Sequence, residues 1–145
     1  MALDCSRPNE GKFMRTPHIN PVTTLLLALF SFPAQAQNWQ VPQPSPGLMP
    51  NVATGKKLFD KHCAACHGID LKGVDKGEKK GPPLLHKIYE PSHHGDAAFQ
   101  LAAKSGVRAH HWPYGDMAPV PQVTPDEVAH ITAYVRSEQR KVGIR

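Results

Sequence analysis

Apolar positions fall into three patterns along the chain, and each predicts a different kind of segment. Within residues 22–32 they form a compact run, Leu25-Leu26-Leu27-Ala28-Leu29-Phe30, with Arg15 and His18 before it and Ala34-Gln35-Ala36 after it. A short apolar stretch between a basic residue and a small-x-small triplet reads as a secretory signal peptide, cleaved after Ala36. The run is too short for a spanning helix. Residues 1–13 do not look like the charged start of such a peptide, so Met14 stands beside Met1 as a candidate start. Cys5 precedes the apolar run rather than following it, and no role is assigned to it.

The second pattern is helical. Gly55 and Phe59 are four apart and share a face, with Leu58 beside them, which predicts a first helix over Val52–His62. A glycine inside a helix costs stability, and a second helix crossing closely there would explain it. A second helix is expected over Asp96–Ser105, rich in Ala and Leu, with Asp96 as N-cap and Gly106 as C-cap. The last helix has the clearest start. Thr124-Pro125-Asp126-Glu127 is a capping box with proline at the first helical position. Val128, Ile131, Tyr134 and Val135 then form an apolar stripe, and the helix should end near Arg140.

The third pattern is loop. Pro42, Pro44, Pro46 and Pro50 make residues 37–50 an extended tail, expected to be mobile. Gly68, Gly73, Gly77 and Gly81 punctuate a lysine-rich stretch that ends in Gly81-Pro82-Pro83-Leu84. Pro113, Pro119 and Pro121 stiffen the loop between the last two helices. Strand alternation and internal repeats are lacking. The domain plan is thus a leader over residues 1–36, a tail over 37–50 and one domain over 51–145.

Composition sharpens this picture. The chain has 145 residues, 15 prolines, 9 histidines, 3 cysteines and a net charge of +5. A small domain with long loops has difficulty burying enough apolar surface by itself, so a large apolar cofactor would help it fold. Cys63-Ala64-Ala65-Cys66-His67 supplies the means. Two cysteines three apart lie on one side of a helical turn, where both sulfurs can reach the vinyl groups of one haem and form thioethers. His67 follows at once and can ligate the iron. A zinc site needs a second ligand pair at fixed spacing, which is missing. A thioredoxin-like redox motif needs a βαβ context, also missing. The pair is therefore spent on haem, and no thiol beyond the leader is left for a structural disulfide.

The iron's sixth position separates a carrier from a catalyst or sensor. Past the leader there are only two methionines, Met49 in the proline-rich tail and Met117 in the proline-stiffened loop. Met117 is the candidate sulfur ligand; His86, His93, His94, His110 and His111 compete with it. The pairs His93-His94 and His110-His111 suggest a metal site at first sight. Adjacent side chains diverge, however, and no carboxylate accompanies them, so they read as hydrogen-bonding groups. Trp112 offers an indole N–H and Arg108 a bidentate grip, both suited to haem propionates. The carbonyls of Pro82 and Pro83 remain acceptors, of the kind to which a ligating histidine donates its free ring N–H.

These motifs together resemble class I c-type cytochromes, most of all small exported bacterial ones. The likeness rests on Gly55-x-x-Leu58-Phe59, Cys63-x-x-Cys66-His67-Gly68, Gly81-Pro82-Pro83-Leu84, Met117-x-Pro119 and Ala133-Tyr134-Val135-Arg136. The resemblance implies an all-α cytochrome c fold, with the first and last helices crossing around a covalent haem. It implies Gly55 and Phe59 against Tyr134, the Pro82 carbonyl on the ring N–H of His67, and Met117 as distal ligand. The paired histidines are a departure from the family pattern. The expected function is a periplasmic electron carrier holding one haem c with its iron, and not an enzyme. The rivals are a haem enzyme or gas sensor with an open or histidine-filled sixth position, and a subunit docked on a larger dehydrogenase or oxidase. Lysines 56, 57, 61, 72, 76, 79, 80 and 87 would steer acidic redox partners. Neither nucleic acid nor stable membrane insertion is expected.

Overall fold

A computed structural model describes residues 40–145; the expected signal peptide and Trp39 lie outside the described residues. Among the described residues four α-helices form the frame: α1 (Val52–His62), α2 (Ala64–His67), α3 (Asp96–Ser105) and α4 (Pro125–Lys141), with one 3-10 turn at Lys87–Tyr89. Among the described residues there are no strands, only two isolated antiparallel bridges, Val74 with Gly81 and Val107 with Met117. No helix there is long and apolar enough to cross a membrane.

The frame is built where α1 crosses α4. Asn51 caps α1 by accepting from the Thr54 amide at 2.9 Å. Its own amide donates to Nδ1 of His130 on α4 at 2.8 Å, which ties the two helices at their meeting point. Gly55 is there because nothing larger fits: a Cβ would sit 1.9 Å from the His130 carbonyl oxygen. One turn later Phe59 is fully buried, its ring tilted against Tyr134 at 5.5 Å between centroids. Leu71, Leu84, Ile131 and Val135 complete the buried cluster.

The capping box opens α4 as the sequence requires. The Glu127 carboxylate accepts from the Thr124 amide at 2.8 Å, and Thr124 Oγ1 accepts from the Glu127 amide at 3.3 Å. The apolar stripe is buried, but α4 also buries Thr132, Arg136 and Gln139. Arg136 donates to Asp96 at 2.8 Å, to the Tyr89 carbonyl and Gln139 Oε1 at 2.7 Å each, and to the His94 carbonyl. Its guanidinium also stacks on Phe99, 5.0 Å from the ring centre. Gln139 donates to the Leu84 carbonyl at 2.9 Å. These two polar side chains bind the irregular segment 84–94 to α4, where satisfied bonds offset the cost of burying them.

Two expectations change. The N-cap of α3 is Gly95, and Asp96 is the first helical residue, free to meet Arg136. The proline-rich stretch, expected as a mobile tail, is fastened in its described part. The Ser45 amide and hydroxyl donate to the two carboxylate oxygens of Asp126 at 2.6 and 2.8 Å. Asp126 sits in the first turn of α4, where an acidic group complements the helix dipole, and Ser45 adds to that.

Candidate haem site

The end of α1 and the start of α2 share Cys63, which closes the first helix and opens the second. Its amide donates to the Phe59 carbonyl at 2.8 Å, while its carbonyl accepts from the amides of Cys66 and His67 at 3.1 and 3.0 Å. Cys63 and His67 both face a cavity of about 540 Å³ enclosed by α1, α3, α4 and the loops after α2 and α3. Such a volume suits a ligand or cofactor of substantial size. Cys66 is half-buried and does not line the cavity; its Cβ lies against Gly81. The cavity wall is mostly apolar, with Phe59, Phe99, Leu101, Val128, Ile131 and Val135 among its side chains.

Burial acts on the polar groups of this wall. It pushes the Cys63 thiol up to about 11, with the neighbouring Cys66 adding to the effect. That thiol is neutral at ordinary pH. Burial also lowers the pKa of His67, against a smaller opposing pull from Pro82. His67 Nδ1 lies 3.0 Å from the Pro82 carbonyl oxygen. A carbonyl only accepts, so Nδ1 carries the proton and Nε2 keeps its lone pair. A metal-binding histidine is oriented in this way by its outer hydrogen bond.

The loop between α3 and α4 lines the same cavity and is laid out by its backbone. Gly106 closes α3 at φ +73°, and a Cβ there would meet the Met117 carbonyl oxygen at 2.3 Å. Val107 and Met117 exchange amide–carbonyl bonds of 3.0 and 2.8 Å, and Asp116 accepts from the Ala109 amide at 2.8 Å. The Val120 amide reaches back to the Ala103 carbonyl at 2.8 Å. Met117 is thus held at the base of a closed loop, half-buried, with its side chain on the cavity. Met49 is 84% exposed and takes no part.

Arg108 and Trp112 come from the same loop and line the same cavity. Arg108 is exposed and forms no ion pair among the described residues. Trp112 Nε1 is buried with no hydrogen-bond partner. An orphaned N–H of this kind costs stability unless a ligand accepts from it. Tyr89, also on the cavity, has its pKa raised by burial; the Trp112 N–H, which faces the Tyr89 hydroxyl without closing a hydrogen bond of ordinary geometry, works against that shift.

His86 is exposed and edge-on to Trp112 at 5.0 Å, off the cavity wall. The two histidine pairs meet, which their sequence separation conceals. His94, His110 and His111 line the cavity, and His93 Nε2 lies 3.4 Å from His111 Nε2. Burial, and then the neighbouring His110, His94 and His93, lower the pKa of His111.

The family profile described as Cytochrome c matches residues 52–139, from the start of α1 to the end of α4. A search of curated proteins gives no match. Among solved structures, cytochrome cL from the marine methylotrophic bacterium Methylophaga aminisulfidivorans MPT is similar, at 29% identity and a TM-score of 0.43. The likeness covers 59% of this chain and 53% of that one, so this chain spans about half the length of that cytochrome. The profile match extends over most of the described residues and includes the Cys63–His67 motif, so the chain belongs to the cytochrome c family, all-α proteins that bind haem c covalently.

Proposed function

We propose that the protein is an exported monohaem electron carrier, with haem linked through Cys63 and Cys66 and its iron held between His67 and Met117. The observation that carries this reading is that His67, at the end of α2 with its Nδ1 committed to Pro82, and Met117, in the loop between α3 and α4, line one apolar cavity. The donor set fits the group. Two cysteines stand at attachment spacing, one imidazole nitrogen is left free, and one thioether is held on a closed loop. The buried N–H of Trp112 and the cation of Arg108, neither paired among the described residues, suit the propionates. Bound haem supplies a one-electron couple, and His/Met ligation raises its potential.

The protein's own part is to hold both ligands, keep water from the ring and bring a partner to its edge. Export is supported by the leader pattern ending at Ala36 and by the motif itself. The exposed lysines between Lys56 and Lys87 support an encounter with acidic partners. On this reading the protein turns over no substrate.

One observation favours a second reading. His94, His110 and His111 line the same cavity, so a histidine in the sixth position, or an open iron, would make a haem enzyme or sensor. Carbon monoxide addition to the reduced holoprotein separates the two. A carrier with Met117 on the iron binds it slowly and weakly, and Met117→Ala binds it fast. Fast binding by the unaltered protein would overturn the carrier reading.

A further inference from the structure

Four histidine rings cluster at the rim of the cavity, His94, His110 and His111 on its wall and His93 off it, with no carboxylate among them. Ring centroids lie 4.7 Å apart for His93 and His94, 5.3 Å for His93 and His111, and 5.3 Å for His94 and His111. One ring nitrogen from each of these three falls within 4.8 Å of the other two. We propose that His93, His94 and His111 form a second metal site, distinct from the haem iron, that takes a divalent first-row transition ion such as Zn2+ or Cu2+.

The closest pair of nitrogens fits one ion better than it fits a hydrogen bond. Metal–imidazole bonds are about 2.0–2.1 Å, which puts the nitrogens of a tetrahedral site about 3.3 Å apart. His93 Nε2 and His111 Nε2 are 3.4 Å apart, close to that edge and longer than an ordinary hydrogen bond. His94 is oriented for ligation. Its Nδ1 lies 2.6 Å from the Ile88 carbonyl, which can only accept, so Nδ1 carries the proton and Nε2 stays free.

The backbone is set as well. Glu90's carbonyl accepts from the amides of His93 and His94 at 3.0 and 2.8 Å, and Arg136 holds the His94 carbonyl. His111 belongs to the loop closed by Val107 and Met117. Three neutral imidazoles select borderline ions over Mg2+ and Ca2+, which prefer oxygen. Three ligands leave one tetrahedral position for water or an exchangeable group. His93 and His111 are exposed, so an ion can enter from solvent.

The test is a calorimetric titration of tag-free holoprotein with Zn2+, repeated with Mg2+. The expected result is one Zn2+ per chain and no Mg2+ binding. His93→Ala and His111→Ala should each weaken Zn2+ by at least about tenfold, and the double variant should abolish binding. Electron paramagnetic resonance of added Cu2+ should show nitrogen coupling that the double variant loses. Both side chains are exposed, so these variants should keep the fold, and an unchanged Soret band checks it. Absence of stoichiometric Zn2+ binding would overturn the proposal, as would equal affinity in the double variant. A double variant whose ferric spectrum shows loss of a histidine from the iron would also overturn it, because the cluster would then serve the haem.

Discussion

Trp112 and Arg108 offer the cavity a neutral N–H and a fixed positive charge, and the two should act differently. A guanidinium near the propionates stabilises the reduced haem, which carries one more electron. Arg108→Gln should therefore lower the midpoint potential and change its pH dependence, and potentiometry at several pH values checks this. Arg108 is exposed, so solvent screens the effect and the shift should be modest. Trp112→Phe keeps an aromatic ring against Tyr114, now stacked at 6.1 Å, and removes only the N–H. It should shift the potential with little loss of stability. Unchanged potential in either variant removes that residue from a propionate role.

The elements are held by contacts that a periodic pattern shows only in part. At the helix crossing, Gly55→Ala would gain about 0.5–1 kcal/mol of helix propensity. It would also drive a methyl into the His130 carbonyl, at an overpacking cost of about 1–3 kcal/mol or more. Denaturant unfolding of the holoprotein should show net destabilisation. At the start of α4, the Ser45 amide and hydroxyl hold the Asp126 carboxyl below the usual aspartate range. A carboxyl with a lowered folded pKa stabilises the fold above its unfolded value and loses that contribution as pH falls through the folded one. The Ser45 contact should therefore persist at neutral pH and loosen only below about pH 4. Amide exchange at Ser45 should show this, and Asp126→Asn should remove the pH dependence. Helices α1, α3 and α4 were legible because their apolar spacing and caps are local. Arg136 and Gln139 were not, since their partners, such as Tyr89 and Leu84, lie far away in sequence. The Ser45–Asp126 tie, spanning 81 positions, was hidden for the same reason.

At the scale of the whole molecule, two long loops are folded onto a crossed pair of helices so that one cavity collects a thiol, an imidazole, a thioether and an indole. Most of that set could be named from the motif and the methionine count. The meeting of His93 and His94 with His111 could not, because only the tertiary fold joins residues 18 apart on different loops. All eight lysines between Lys56 and Lys87 are exposed, and among the described residues only Lys56 and Lys72 meet an acidic side chain, at 2.6 and 3.9 Å. Electron transfer to an acidic protein partner should slow as salt is raised, while transfer to a neutral small oxidant should not. Stopped-flow rates across ionic strength check this. The central claim is the sulfur of Met117 on the iron, and the far-red absorption of the purified ferric protein tests it most directly. The account predicts a weak iron–sulfur charge-transfer band there that disappears in Met117→Ala. A spectrum without that band, or a band that survives the substitution, would contradict it.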